Sequence, residues 1–223
     1  MNTEVIIIGA GISGLSAAKV FQNNGIDFIM FEGSNKIGGR AQTEKLAKNH
    51  WFDIGASYLH EGNLNPFTKI ANQIQFPIEN TLGDMFLARN TKLYQAGEKV
   101  SDQKFDEFIA EDLNIKSAME VSAKEVNDMT VCKSINLKRE FGPIFWHLLA
   151  NNNAADPDKI SVKDVMETQE GPDYPIPLGL GTLIKLWGAS VPVKLNTKVL
   201  EVKNMGNFFS VKTSKGLVTT KKI

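Results

Sequence analysis

The chain has 223 residues, of which 42% are hydrophobic and 22% are charged, and its 25 basic residues are balanced by 25 acidic ones. This composition is that of a soluble globular protein with one large or two small domains, and it excludes a disordered, collagen-like or coiled-coil chain. A net charge of zero gives no general attraction to nucleic acid or to an anionic membrane, so small molecules are the expected partners.

Cysteine and histidine are too sparse for a disulfide or a metal site. Cys132 has no second cysteine to pair with, and His50, His60 and His147 stand far apart in the sequence. The early apolar run Val5–Ile8 is too short for a signal segment or a membrane span. We therefore expect a cytoplasmic protein of a reducing compartment, without a metal and without a membrane partner.

The first forty residues predict an α/β fold. Glu4–Ile8 is an apolar, β-branched run typical of a buried strand in a parallel sheet. A helix is predicted over Ser13–Asn24, because apolar residues recur there at helical spacing, and Gly25 stops it. A second strand is predicted over Asp27–Phe31 and ends at Glu32.

Between the first strand and the helix, Gly9, Gly11 and Gly14 form the motif G-x-G-x-x-G. In a dinucleotide-binding unit the first glycine allows a tight turn, the second lets the backbone approach a pyrophosphate, and the third lets the helix pack closely. The pyrophosphate would bind free N–H groups at the helix N-terminus, where Ser13 lies. Glu32 can accept hydrogen bonds from ribose hydroxyls and would repel a 2′-phosphate, so the segment predicts dinucleotide binding and argues against NADP.

The loop after Glu32 reads Gly33-Ser34-Asn35-Lys36-Ile37-Gly38-Gly39-Arg40. With the glycine motif and Glu32, it resembles the flavin-containing amine oxidase family, whose signature is a dinucleotide fold, an acidic residue and a Gly-Gly-Arg turn. The resemblance implies FAD as the cofactor, with Gly38 and Gly39 letting the chain pass closely and Arg40 near the pyrophosphate. A planar guanidinium is a natural bidentate partner of a phosphate.

The resemblance continues over residues 52–62, which are similar to the segment under the flavin ring in the polyamine oxidase branch. It implies that the small residues Gly55-Ala56-Ser57 let the main chain lie against the flat ring. Tyr58 and His60 would project into or beside the substrate cavity, and His60 matches a position that is often histidine in polyamine oxidases. These two residues are the candidates for catalytic substrate contacts, and Tyr58 is also a candidate cofactor contact.

A third similarity begins at Pro177–Leu183, which leads into a short predicted helix and then into strands within Val191–Val202. It is similar to the family's return from the substrate domain to the FAD domain, where the residue matching Val199 contacts the adenine through its backbone. The resemblance implies a Rossmann-like FAD-binding domain of the GR2 type at 1–65 and 177–223, incomplete here. The residues between them, 66–176, would be a substrate-domain insert.

The insert lacks regular alternation of strands and helices. Aromatic residues on its second predicted helix are expected to form a core rather than a cofactor contact. The elements predicted there are short strands at Met85–Leu87 and Lys92–Tyr94, helices at Lys104–Lys116 and Leu137–Leu149, and a helix start or kink at Gly142-Pro143, with Phe141, Phe145 and Trp146 as the aromatic residues.

The C-terminal stretch predicts an antiparallel pair, Val199–Lys203 with Phe208–Thr213, followed by a further strand from Leu217. In the family a second half of comparable size follows this point. We therefore expect a fragment, a split protein whose other chain supplies the C-terminal half, or a decayed gene product.

The resemblance implies an oxidoreductase that oxidises the C–N bond of an amine. The amine gives a hydride equivalent to the flavin N5, the imine is hydrolysed, and O2 reoxidises the flavin with formation of H2O2. Two alternatives stay open. One is a desaturase or porphyrinogen oxidase with the same cofactor, and the other is a non-catalytic FAD-binding module that needs a partner chain.

Overall fold

The structure is a computed structural model, and it describes residues 2–48, 50–79, 92–168 and 171–223. The chain divides into two compact units, the first formed by Met1–Thr81 with Asp173–Ile223 and the second by Leu82–Pro172. The predicted insert covers 66–176, whereas both 66–79 and 173–176 lie in the first unit. What each unit binds stays a prediction at this point.

The described secondary structure contains short strands and seven helices. In chain order the strands are β1 (Asn2–Ile8), β2 (Phe28–Phe31), β3 (Thr43–Ala47), β4 (His50–Asp53), β5 (Tyr58–Leu59), β6 (Tyr94–Gln95), β7 (Glu98–Lys99), β8 (Tyr174–Pro175), β9 (Val193–Lys194), β10 (Val199–Asn204), β11 (Phe209–Thr213) and β12 (Gly216–Lys222). The helices are α1 (Ile12–Asn23), α2 (Pro66–Gln73), α3 (Asp102–Ala123), α4 (Val131–Ser134), α5 (Gly142–Asn153), α6 (Val162–Glu167) and α7 (Leu180–Gly188).

The first unit is built on a mixed six-stranded sheet with the order β10-β11-β12-β1-β2-β9. β1 pairs in parallel with β12 on one side and with β2 on the other, and β2 pairs in parallel with β9. The strands β10, β11 and β12 form an antiparallel meander, as the sequence predicted for this stretch. The α/β class predicted from the sequence is therefore confirmed.

The start of the chain folds as its residue pattern predicts. Val5, Ile6 and Ile7 are all at most 9% exposed, so both faces of β1 are covered and a continuous apolar run is needed there. α1 buries Leu15 and Ala18 completely against this sheet and ends at Asn23. Asn24 takes the cap position, and the next residue has a positive φ that only glycine adopts easily.

The hydrophobic core of the second unit is centred on Phe108. Its ring stacks on that of Phe145, with 5.0 Å between the ring centroids, and meets the ring of Phe141 edge-on at 5.5 Å. The predicted core role of Phe141 and Phe145 is confirmed, since they are 5% and 3% exposed. For Trp146 the prediction was wrong, because it is 37% exposed. Adjacent residues on a helix point about 100° apart, so Trp146 turns away from the core that Phe145 enters.

The predicted boundaries in this unit shift in both directions. α3 contains the predicted helix 104–116 and extends it at both ends, and α5 begins at Gly142, so the Gly142-Pro143 pair starts the helix rather than bending it. The predicted strand Lys92–Tyr94 is replaced by the hairpin of β6 and β7. The predicted strand Met85–Leu87 lies outside the described residues.

Candidate functional site

Three loops meet at the carboxyl edge of the parallel strands, which is where α/β sheets bind ligands. We call the loops that follow β1, β2 and β9 the carboxyl-edge loops; they comprise residues 9–14, 32–40 and 195–198. The N–H of Gly9 donates to the carbonyl of Phe31 at 2.8 Å, and the N–H of Glu32 donates to that of Lys194 at 3.0 Å. The N–H of Gly38 donates to the carbonyl of Ala10 at 2.8 Å. Main-chain hydrogen bonds therefore hold the three loops together.

Glu32 joins two of these loops through its side chain. One carboxylate oxygen accepts the N–H of Ala10 at 2.7 Å, and the other accepts the N–H of Ser34 at 2.8 Å. Burial alone would raise the pKa of Glu32, but the hydrogen bonds from Ser34, Ala10 and Gly33 outweigh it and lower the pKa below its ordinary value. Ionised Glu32 is therefore a charged hydrogen-bond acceptor at the end of β2, of the kind that ribose hydroxyls bind.

The N-terminus of α1 has no side-chain cap among the described residues. Its N-cap residue is Gly11, none of the described side chains accepts a hydrogen bond from an N–H group of the first turn, and no acidic residue lies in that turn. A Cβ added to Gly11 would meet only the Cα of Gly39, at 3.9 Å, so the protein itself does not require glycine there. At Gly14 a Cβ would lie 2.1 Å from the carbonyl oxygen of Gly9, so here the fold does require glycine. Ser13, in this turn, is exposed.

The Gly-Gly-Arg turn packs directly against the glycine motif. Gly38 and Gly39 have φ values of +110° and +59°, and Gly38 forms a parallel bridge with Gly11. The side-chain amide of Gln42 donates to the carbonyls of Ile37 and Gly39 and fixes the turn. Arg40 is exposed, and no acidic group in the described ranges pairs with its guanidinium. Its charge is therefore available to an anion.

The segment Gly55-Ala56-Ser57 lies against the same turn. The N–H of Ala56 donates to the carbonyl of Arg40 at 3.2 Å, and a Cβ on Gly55 would lie 1.8 Å from that oxygen. The hydroxyl of Ser57 donates to the carbonyl of Gly55 at 3.1 Å. The structure thus brings together two segments that the sequence could only assign separately.

Val199 lies next to the third carboxyl-edge loop. The N–H of Thr197 donates to the carbonyl of Glu32, and that of Asn196 donates to the carbonyl of Ser34, each at 2.8 Å. Val199 follows as the first residue of β10 and is half-buried. Val199 is therefore two residues after Thr197, whose N–H group bonds to the carbonyl of Glu32.

The N-terminus of α7 contrasts with that of α1, because it is capped by a distant carboxylate. Asp53 accepts the N–H of Leu180 at 3.1 Å and that of Gly181 at 3.5 Å, and the hydroxyl of Thr43 also donates to it. The oxygen of that hydroxyl accepts the N–H of Thr182 at 3.2 Å. No local sequence pattern marks Asp53 as a cap, since the two N–H groups that donate to it lie 127 and 128 positions further along the chain.

We expect Asp53→Ala to lower the free energy of unfolding by about 2 kcal/mol, because it leaves the N–H groups of the buried residues Leu180 and Gly181 without an acceptor. Chemical denaturation measures this change. The matched control is Asp27→Ala, which removes an exposed carboxylate and should change stability by less than about 0.5 kcal/mol. Equal effects of the two substitutions would contradict the capping role.

Tyr58 and His60 lie on and just after β5, with ring centroids 6.5 Å apart. Tyr58 is 40% exposed, and the His60 side chain is also largely exposed. His60 Nδ1 lies 2.8 Å from a carboxylate oxygen of Asp173, which the sequence analysis missed. No local pattern signals this pair, since Asp173 is followed by an ordinary short strand.

The sequence profile described as flavin containing amine oxidoreductase matches residues 12–174. The chain therefore belongs to the flavin-containing amine oxidoreductase family, whose members are oxidoreductases with FAD as the cofactor. The resemblance inferred from the glycine motif and the Gly-Gly-Arg turn is thus confirmed at the level of the family.

Individual relatives agree with this assignment. Polyamine oxidase 4 of Oryza sativa subsp. japonica is 25% identical over 96% of this chain and 48% of its own length. A flavin-containing amine oxidase of Danio rerio is 39% identical over 31% of this chain and 13% of its own length. The solved structure of cyclohexylamine oxidase from Brevibacterium oxydans has a TM-score of 0.66 at 18% identity, covering 99% of this chain and 57% of its own. The chain spans about half the length of the full-length relatives it matches.

The residues of the carboxyl-edge loops fit FAD. The open N-terminus of α1, the space above Gly11 and the unpaired charge of Arg40 suit a diphosphate, and the charged carboxylate of Glu32 suits the hydroxyls of a ribose. In the part of the chain that the structure describes, no cluster of acidic, histidine or cysteine side chains is arranged to hold a metal. None of the described helices is both long and apolar enough to cross a membrane.

Proposed function

We propose that the first unit is a Rossmann-like, GR2-type FAD-binding domain and that the second unit is part of a substrate domain. The whole protein would oxidise the C–N bond of a small amine, of the kind that polyamine oxidases take, with O2 as the final oxidant. The observation that carries this proposal is the difference between two helices of one unit: the fold caps α7 from a distance and leaves α1 uncapped beside an unpaired arginine.

The residues divide into three roles. The N–H groups of the first turn of α1, around Ser13, and the guanidinium of Arg40 would hold the diphosphate, with glycines at 9, 11, 14, 38 and 39 shaping the cradle. Glu32 would hold the ribose, and the backbone of Val199 would contact the adenine. Gly55-Ala56-Ser57 and Tyr58 would line the flavin ring.

When bound, FAD supplies the electron acceptor for the α C–H bond of the amine and passes the electrons to O2. The chain's own residues bind and orient the reactants. Tyr58 and His60 would contact the amine, since both side chains are exposed and their rings lie 6.5 Å apart at β5. The side chain of Tyr58 would limit the access of water, and His60 would accept a hydrogen bond from an amine N–H.

The purified chain is expected to bind added FAD and to retain the visible absorption bands of an oxidised flavin after gel filtration. Peroxide formation with spermine, spermidine and an aromatic amine then tests the chemistry. Gly11→Ala is the control for the spectrum, because it blocks the cradle without removing a contact of the fold. If the protein fraction shows no flavin absorption after incubation with excess FAD and gel filtration, FAD binding by this chain is rejected.

The alternative of a subunit that needs a partner chain is favoured by one further feature. An open groove of about 500 Å³ lies in the first unit between β1, α1 and the end of β12, and its lining is mostly apolar. Ile8 lines it and is 44% exposed. A second chain carrying the rest of the family fold would cover such a surface. Bound FAD without peroxide from any of the three amines would support this alternative.

The other alternative, a desaturase or porphyrinogen oxidase, receives less support, because the relatives named above are amine and polyamine oxidases. Absence of peroxide from amines together with turnover of a porphyrinogen would favour it. The cytoplasmic location stays a prediction.

A further inference from the structure

His60 and Asp173 form a hydrogen-bonded pair in the first unit, with 2.8 Å between Nδ1 and a carboxylate oxygen. Their meeting depends on the antiparallel pairing of β5 with β8, in which Tyr58 lies opposite Pro175 and Leu59 opposite Tyr174. Each member of the pair is adjacent to one of these strands. The contact is therefore set by strand register and not by a chance approach of two surface side chains.

Buried contacts on both sides fix this register. Leu59 is 2% exposed and Tyr174 is 7% exposed. The ring of Tyr174 lies so close to Gly62 that a Cβ there would be 2.3 Å from it. The side-chain amide of Asn65 donates to the carbonyl of His60 at 2.9 Å. The packing of Tyr174 on Gly62 and the hydrogen bond from Asn65 thus both fix the backbone that carries the pair.

The pair itself does not stabilise the fold appreciably. The side chain of His60 is 78% exposed and that of Asp173 is 26% exposed, and exposed pairs of this kind add little to the stability of a fold. What the contact does determine is the position of a proton. A neutral imidazole has one N–H donor and one acceptor nitrogen, and an ionised carboxylate only accepts. The bond to Asp173 therefore requires the proton on Nδ1.

We propose that Asp173 is a positioning residue that holds His60 in the Nδ1–H tautomer, so that the exposed Nε2 is presented as a hydrogen-bond acceptor for an amine N–H. This role deepens the proposed function and rests on it for the identity of the ligand. No bond is made or broken by the pair; it fixes the ring orientation and leaves a lone pair directed away from Asp173.

Long-range ¹H–¹⁵N correlation spectra of the ¹⁵N-labelled chain test the tautomer at about pH 8, where an ordinary imidazole is neutral. The His60 signal is assigned by its loss in His60→Gln, and His50 and His147 are internal references. We expect His60 to show the Nδ1–H pattern, whereas a histidine free in water favours Nε2–H. An Nε2–H pattern for His60 in the unaltered protein would overturn the proposal without any variant.

Variants then separate positioning from structure. Asp173→Ala should return His60 to the Nε2–H pattern, and Asp173→Asn, which keeps an acceptor oxygen, should retain Nδ1–H. The control Asp27→Ala should leave the spectrum unchanged. Persistence of the Nδ1–H pattern in Asp173→Ala, with the same circular dichroism spectrum, would contradict the role of Asp173.

The same variants distinguish this inference from the proposed function. In an active oxidase, Asp173→Ala should raise the KM for the amine about tenfold, which corresponds to the loss of one hydrogen bond, and Asp173→Asn should largely restore it. An Nδ1–H His60 in a protein that oxidises no amine would support the positioning and reject the function. An Nε2–H His60 in an active oxidase would reject the positioning alone.

Discussion

Gly14→Ala is expected to lower the free energy of unfolding by about 3 kcal/mol or more, because its Cβ would lie 2.1 Å from the carbonyl oxygen of Gly9. The oxygen of Gly9 is a backbone atom, and a Cβ at position 14 would be fixed by the backbone of α1. No side-chain rotation can therefore relieve the contact. A third close atom, the Cγ2 of Ile7 at 3.4 Å, lies on β1. Denaturation with urea, followed by circular dichroism, measures the loss.

Gly11→Ala is the informative partner of this variant. Its Cβ has 3.9 Å to the nearest atom, and the residue has an ordinary φ of −75°, so we expect a stability change below about 1 kcal/mol. FAD affinity should nevertheless fall by more than about tenfold, because the methyl group occupies the path of the diphosphate. Gly33→Ala, whose nearest contact is at 3.8 Å, is the control for stability. Undiminished FAD binding by Gly11→Ala would place the diphosphate elsewhere.

Glu32→Ala is expected to reduce both stability and cofactor binding. It removes the acceptor of the Ala10 and Ser34 N–H groups, which should cost about 2 kcal/mol of folding free energy. Loss of even one charge-assisted ribose bond, worth about 1.5 to 3 kcal/mol, should weaken FAD binding by about ten- to a hundredfold. Flavin fluorescence titration and urea denaturation measure the two effects separately.

Glu32→Gln should behave like the alanine variant and not like the wild type. The amide has one accepting oxygen, and its NH2 group would face the N–H of either Ala10 or Ser34. The control Glu201→Ala removes the same charge from an exposed position on β10 and should be nearly neutral. A wild-type FAD affinity in Glu32→Ala would remove this carboxylate from the cofactor site.

The ionisation of Glu32 also gives a direction in pH. Its pKa is lowered in the folded protein, so its contribution to stability is complete at neutral pH and is lost as the pH falls through the folded pKa. The stability difference between the wild type and Glu32→Gln should therefore shrink in acid. A difference that stays constant from neutral pH to acid would contradict the lowered pKa.

The sequence could predict what local patterns encode. The strand before Gly9, the helix after it and the helix stop before Gly25 depend on neighbours in sequence, and each is found within one or two residues of its predicted bounds. The family followed from the same segment together with the Gly-Gly-Arg turn, and it is confirmed. The error at Trp146 has a local cause as well: helical periodicity was assigned to an aromatic triplet without its phase.

Long-range polar contacts were beyond the sequence. Asp53 caps α7 and Asp173 bonds His60 across separations of 127 and 113 positions, and nothing in the residues around them names a partner. Gln42, which fixes the Gly-Gly-Arg turn through two carbonyls, gave no signal either. Hydrogen bonds of this kind form only when tertiary structure brings distant segments together. In the sequence, residues that make such bonds cannot be distinguished from other polar residues.

The pairing of β1 with β12 has a consequence for the order of folding. β1 meets β2 after a short helical crossover, but its other neighbour places Thr219 opposite Asn2, so that edge stays open until residue 219 has been synthesised. The second unit is contiguous in sequence and can fold during this interval. We therefore infer that the nascent first unit passes through a stage with an exposed apolar strand edge, when chaperone capture or intermolecular strand pairing competes with completion of the sheet.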